Sequence, residues 1–334
     1  MSKTLLVDGE NLYKIGYTGV KGMHYDGNNI GAIYHFINTL RRFLEEHNSD
    51  KVIICWDGDS NSSVRKQLYP NYKANRRKGM DEESYESYLT QKQRVKQYLE
   101  EVFVRQVEVD KTEADDVIAH YCKIAINEEI IILSSDKDLT QLISEKVQIY
   151  SPIKKEYYKL GDKISINKVD IPHENVLLCK VFTGDKSDNI SGIEGLGEKT
   201  LVKLFPQMQT KSCTIAEILD NARLIGQEKK VPKVIENILT GKSKLSILGE
   251  EFYNTNLKIV DLSNPLITDE GKELVEQMYR DTIDPTDRGY KNLMKMMMDD
   301  GLFKYLPKDD NAWVNFLKPF LKLTRKEKRI INKN

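Results

Sequence analysis

Nine carboxylates occupy positions from which they could do chemistry together: Asp8, Asp57, Glu113, Asp115, Asp116, Asp136, Asp138, Asp185 and Asp188. Short apolar runs lead into three of them: TLLV into Asp8, VIICW into Asp57, and IIIL into Ser134, Ser135 and Asp136. Carboxylates crowded into one crevice resist joint ionisation at neutral pH, so cations must offset them. The five histidines and four cysteines (Cys55, Cys122, Cys179 and Cys213) show no matching ligand spacing. Hard oxygen ligation by Mg²⁺ or Mn²⁺ is therefore expected rather than zinc. Mg²⁺ keeps several waters and takes one or two direct carboxylates, so nine acids suit two ions. A pair about 3.5 to 4 Å apart can activate a water and stabilise the leaving oxygen in phosphodiester hydrolysis. A single aspartate of this kind reads more simply as a strand-end turn residue. The acids of TEADD could also merely complement a helix dipole, at roughly 0.3 to 1 kcal/mol each.

The elements needed to gather these acids are legible. The three apolar runs have the β-forming composition of buried strands, and helix-period patterns lie between them. These include Ile33, Phe36, Ile37, Leu40 and Leu44, then Val95, Tyr98, Leu99, Val102 and Phe103, then Val117, Ile118, Tyr121, Cys122 and Ala125. Such alternation predicts an α/β domain with a mainly parallel central sheet flanked by helices. The crevice of such a sheet lies beyond the carboxyl ends of its strands, where Asp8, Asp57, Asp136 and Asp138 would meet. Thr112 reads as an N-cap, with Glu113, Asp115 and Asp116 in the first helical turn. VQIYSPIKKEYYKL reads as a hairpin turning at Pro152, and from about residue 166 the chain becomes predominantly helical.

The chain of 334 residues is long enough for two compact domains, or for one with a large helical appendage. Its 51 basic and 51 acidic residues cancel, so any affinity for nucleic acid must come from local charge. Ser60 to Met80 holds six basic residues and no acid; Lys318 to the end holds seven basic residues against one acid. No run of eighteen apolar residues occurs and no signal peptide is read, so a soluble protein of the cytoplasm, without a membrane role, is expected. GIEGLGEKT, 192 to 200, misses a nucleotide-binding P-loop because Glu198 precedes Lys199.

The motifs DGEN (8–11), WDG (56–58), YPNYKANR (69–76), EADD (113–116), SSDKDLTQL (134–142) and GDKSDNISGIEGLGEKT (184–200) resemble, in order, those of the 5′-nuclease family. That family includes flap endonucleases, the 5′ to 3′ exonuclease domain of bacterial DNA polymerase I, and phage enzymes called RNase H. The resemblance covers roughly residues 3 to 262 and is nearest to the phage RNase H subgroup. It implies a PIN-like nuclease core over 1–165, with a helical arch or clamp at about 61–100. A helix-three-turn-helix DNA-binding region over 166–262 and a C-terminal helical extension with a basic tail over 263–334 would follow.

By the same resemblance, Asp8, Asp57, Asp115 or Asp116, and Asp136, supported by Glu113, would form a first metal group, and Asp138, Asp185 and Asp188 a second. Lys73 and Arg76 would act beside the scissile phosphate, with Tyr72 as an aromatic near the substrate. Arg65, Lys73, Arg76, Arg77, Gly192, Gly195, Gly197, Lys199 and Thr200 would contact DNA, with K⁺ at the helix-three-turn-helix. The implied activity is Mg²⁺-dependent cleavage at 5′ ends or flaps of duplex DNA and of RNA–DNA hybrids, including RNA primer removal in replication, by a monomer. A catalytically silent DNA-binding module would have lost metal carboxylates, and a PIN-domain ribonuclease would lack the arch and the helix-three-turn-helix segment. The tail from Trp313, with Phe316, Leu317, Phe320 and Leu321 interrupted by Pro319, reads as a docking helix with a solvated end. The alternative is contact with DNA, a sliding clamp or a single-strand-binding protein.

Overall fold

The computed structural model describes residues 2–75, 81–228, 231–244, 247–283, 288–306, 308 and 311–331, the last stretch with side chains through 324. Among these, six strands form the central sheet: β1 (Ser2–Asp8), β2 (Lys51–Asp57), β3 (Arg105–Val109), β4 (Glu128–Leu133), β5 (Val147–Ser151) and β6 (Glu156–Tyr158). Their order is β3-β2-β1-β4-β5-β6; all neighbours are parallel except the antiparallel β5–β6 edge hairpin, in which Ile149 faces Tyr158. The strand order reverses at β1, so the crevice belongs between the carboxyl ends of β1 and β4. Register supports this: Val7 pairs with Leu133, and Asp8 pairs with Cys55 two residues before Asp57.

The strands are apolar without a break because both faces are covered. Leu5 and Val7 enter one core and Leu6 the other; Val52, Ile54 and Trp56 likewise oppose Ile53 and Cys55. On the first face lie α1 (Gly9–Gly19), α2 (Gly31–His47) and α4 (Glu82–Glu100), with the short α3 (Ser63–Leu68) preceding α4 in the chain. The second face carries α5 (Ala114–Ile124), α6 (Asn175–Thr183), α7 (Glu198–Leu204), α8 (Ile215–Ile225), α9 (Lys233–Thr240), α10 (Glu250–Val260) and α11 (Asp269–Arg280). The chain then returns to the first face with α12 (Tyr290–Asp299) and α13 (Ala312–Ile331), where Leu293, Met297, Phe316 and Phe320 join Phe36, Leu40 and Phe43.

One apolar cluster runs from Val117 and Tyr121 through Phe182, Phe205 and Phe252 to Val275, so packing crosses both expected boundaries at 165 and 262. Helix α13 continues through Pro319 where an interruption was expected. Burial of Phe316, Leu317, Phe320 and Leu323 on both sides of the proline outweighs the one backbone bond it forfeits. No helix among the described residues is long and apolar enough to cross a membrane.

Candidate active site

A chain of hydrogen bonds builds the crevice between β1 and β4. Asp8 ends β1 and caps α1, its Oδ1 accepting from the Asn11 amide at 2.9 Å. Its Oδ2 accepts from Ser134 Oγ at 2.8 Å; Ser134 Oγ in turn accepts the Asp136 amide at 3.0 Å, and Asp136 Oδ1 the Asp138 amide at 2.9 Å. The Asn11 side chain accepts the Ser135 amide at 3.0 Å, fixing the same loop from the other side. Across the crevice, helix α5 begins one residue later than expected. Its N-cap residue is Glu113, not Thr112, and the capping oxygen is Asp57 Oδ1, 2.9 Å from the Ala114 amide. That bond presents Asp115, in the first turn, to the other acids. Burial raises Asp8 to about 7, with Asp136 and Asp57 adding, and pushes Asp115 well above the usual carboxylate range, with Asp136 and Asp8 adding. Without cations the charged forms of these groups are disfavoured in a desolvated pocket.

Asp138 links this group to a second one. Carboxylate oxygens of Asp138, Asp185 and Asp188 lie within 4.8 Å of one another. Lys180 of α6 intrudes there, its Nζ pairing with Asp138 Oδ1 and lying 2.5 Å from Asp185 Oδ2. Burial raises Asp138 to about 7, with Lys180 opposing and Asp136 reinforcing the shift. Burial would also raise Asp185, but Lys180 and the Ser187 hydroxyl and amide outweigh it and hold the carboxyl at about 2. The three-carboxylate set is hard, oxygen-only and over-supplied with negative charge, which fits a divalent ion of the Mg²⁺ type.

The base of the expected arch is tied to both groups. Tyr72 is 2% exposed, and its hydroxyl lies 3.0 Å from Glu113 Oε2 and 3.1 Å from Asp188 Oδ2. The buried ring thus ties Glu113 to Asp188 through its hydroxyl. Lys73 sits in the left-handed region at φ 53°, held by its amide on the Asp188 carbonyl (2.8 Å) and its Nζ on Glu113 Oε1 (2.7 Å). Two expectations are corrected here. Asp116 does not join the acidic crevice: it is fully buried and paired with the Arg65 guanidinium, while Oδ1 also accepts the Leu266 amide at 2.8 Å. Arg65 in turn is 5% exposed, with Nε on the Ile259 carbonyl, so it is an internal strut and not a DNA contact. Arg76 and Arg77 lie outside the described residues.

Residues 3–170 match the family model described as the 5'-3' exonuclease, N-terminal resolvase-like domain. This chain belongs to the 5′-3′ exonuclease family. A protein named 5'-3' exonuclease from Halalkalibacterium halodurans is 32% identical over 259 residues, covering 74% of this chain and 84% of that protein. The thermostable DNA polymerase I of Thermus aquaticus is 33% identical over 208 residues, 61% of this chain and 24% of the polymerase. The chain thus spans about a quarter of the length of that polymerase. In fold it is similar to T5 5'-exonuclease solved with zinc, at TM-score 0.62 and 22% identity over 90% of this chain and 98% of the other. It is also similar to a T5 flap endonuclease solved with DNA and metal ions, at TM-score 0.60 and 22% identity over 91% and 99%.

The glycine-rich turn of this 5′-3′ exonuclease family member leads from α6 to α7. Gly192 packs so closely on α6 that a Cβ would fall 2.1 Å from the Thr183 carbonyl, and Gly195 turns at φ 79°. Gly197, the N-cap of α7, has extended backbone and open space beside it, so neither sterics nor φ requires glycine there. Lys199 is exposed and Thr200 half-buried, while Glu198 turns aside to accept from the Asn167 side chain at 2.8 Å. Sequence reasoning missed Lys180, Asn11 and Ser134 as site residues. Asn11 and Ser134 stand inside quoted motifs, and Lys180 is a cation within the apolar run VLLCKVF five residues before Asp185.

Proposed function

We propose that this family member is a divalent-metal-dependent, structure-specific 5′-nuclease that hydrolyses phosphodiester bonds at 5′ ends and flaps of duplex DNA and of RNA–DNA hybrids, removing primers or flaps during replication. The observation that carries this reading is the approach of Asp138, Asp185 and Asp188 within 4.8 Å beside the desolvated Asp8 and Asp115. The similarity to proteins named 5'-3' exonuclease and flap endonuclease supports it.

Asp8, Asp57, Asp115 and Asp136 would hold one Mg²⁺ and Asp138, Asp185 and Asp188 another, with Mn²⁺ able to substitute. Such a pair supplies an activated water and neutralises the leaving oxygen when bound. Lys73, once substrate draws it from Glu113, offsets charge on the phosphoryl oxygens, and Arg76 acts with it. Tyr72 is a positioning residue that keeps Glu113 and Asp188 in register. Gly192, Gly195, Gly197, Lys199 and Thr200, with K⁺ on backbone carbonyls of the turn, grip the duplex backbone without reading sequence. Arg77 adds positive charge for the DNA backbone. The protein works as a soluble monomer in the cytoplasm, and its basic tail serves replication partners such as a sliding clamp or single-strand-binding protein.

The test is incubation with Mg²⁺ and a 5′-labelled set of nicked, blunt, flapped and RNA-primed duplexes, with EDTA as control. Short labelled products that vanish with EDTA are expected. Intact substrates in Mg²⁺, or cleavage indifferent to EDTA, overturn the reading.

A further inference from the structure

One cation already stands inside the second carboxylate group. Lys180 projects from α6 between the buried Cys179 and Val181, and its side chain is only 16% exposed. Its ammonium meets Asp138 Oδ1 and, at 2.5 Å, Asp185 Oδ2, which belong to two of the three acids that converge within 4.8 Å. A Mg²⁺ held by the same carboxylates would sit about 2.0 to 2.1 Å from each ligand oxygen, leaving no distance at which ammonium and divalent ion avoid strong repulsion.

We propose that Lys180 is the resident counter-ion of this group: it holds Asp138 and Asp185 together while no divalent ion is bound, and a divalent ion enters only by displacing it. The side chain thereby sets the affinity of the second site and separates it from the first, where no lysine pairs with Asp8 or Asp136 among the described contacts. This rests on the reading of the acids as metal ligands. A lysine with a purely structural role would behave differently: its loss would lower stability and leave metal affinity as it was.

The experiment is a Mn²⁺ titration of the full chain at fixed pH, following free Mn²⁺ by electron paramagnetic resonance, with melting temperatures measured with and without Mn²⁺. The native chain is expected to show a tighter and a weaker class of site. In Lys180→Met the weaker class tightens by roughly ten-fold or more, since an opposing charge within a few ångströms typically shifts such equilibria by one to three decades. Its metal-free melting temperature falls, and Mn²⁺ raises it further than in the native chain. Lys180→Arg keeps the weak class weak. Unchanged or weaker Mn²⁺ binding in Lys180→Met, with no larger thermal response, overturns the proposal. Lys180→Gln, which retains a donor for Asp185, carries the same expectation and the same refutation if the methionine variant does not fold. Absence of Mn²⁺ binding in the native chain refutes the metal reading itself, and with it this proposal.

Discussion

Asp136 acts on both carboxylate groups, raising Asp8 and Asp115 on one side and Asp138 on the other. Replacing it by asparagine keeps the acceptor for the Asp138 amide but removes the charge. Asp136→Asn is expected to slow cleavage at ordinary Mg²⁺ by about 100-fold or more while sparing duplex binding; single-turnover rates beside a gel-shift titration check this, and full activity refutes it. The raised carboxyls also dictate a pH dependence. Asp8 moves from 3.8 in the unfolded chain to about 7 in the fold, so between those values the metal-free native state keeps a proton that the unfolded chain releases. Stability in EDTA should therefore fall as pH rises from about 4 to about 7 and level off above. Asp138 adds in the same sense, while Asp185, held at about 2, contributes stability that is lost only below about pH 4. Urea midpoints across this range, with and without Mg²⁺, measure it. Mg²⁺ should flatten the slope, and a metal-free midpoint that rises from pH 5 to 7 contradicts the assignment.

Helices α3, α5 and α10 meet at Arg65, whose guanidinium joins Asp116 to the Ile259 carbonyl. Arg65→Met strands the buried carboxylate of Asp116, and urea unfolding should record a loss of roughly 3 to 5 kcal/mol; a loss below about 1 kcal/mol would show the pair to be dispensable. At α7, Lys199→Ala is expected to weaken binding to unrelated duplexes equally and to reduce the magnitude of the salt slope by about one, which affinity measurements over a salt series test. These elements also show what could be read in the sequence. The strands were visible because burial on both faces leaves an unbroken apolar run. The choice between Asp115 and Asp116 was not, since adjacent helical residues point about 100° apart and the deciding partner, Arg65, lies 51 residues earlier in the chain. Arg65 itself looked like part of a DNA-facing charge run because composition does not report which cation turns inward. Lys180 was overlooked for the opposite reason: it stands alone in an apolar helix, and only the return of Asp138 from β4 gives it a second acid.

Among the described residues the molecule is a sheet with acids at the carboxyl ends of its central strands, clad on one face by α5 to α11 and on the other by α1, α2 and α4 with the returning α12 and α13. Phe320 is fully buried in the second of these layers. Phe320→Ala should cost about 3 to 5 kcal/mol by opening a cavity, yet leave cleavage per folded molecule unchanged; chemical unfolding and active-site-normalised rates separate the two, and a lower rate in fully folded protein would mean that the extension reaches the chemistry. The order in which the acids occur along the chain has a consequence for synthesis. A growing chain can complete the six strands of its central sheet at Tyr158, but Lys180, Asp185 and Asp188 are still to be made. Because one apolar cluster joins α5 to α6, α7, α10 and α11, the second face of the sheet stays uncovered until these later helices have been made. The meeting of Asp138 with Asp185 and Asp188 therefore waits on the part of the chain made after the sheet.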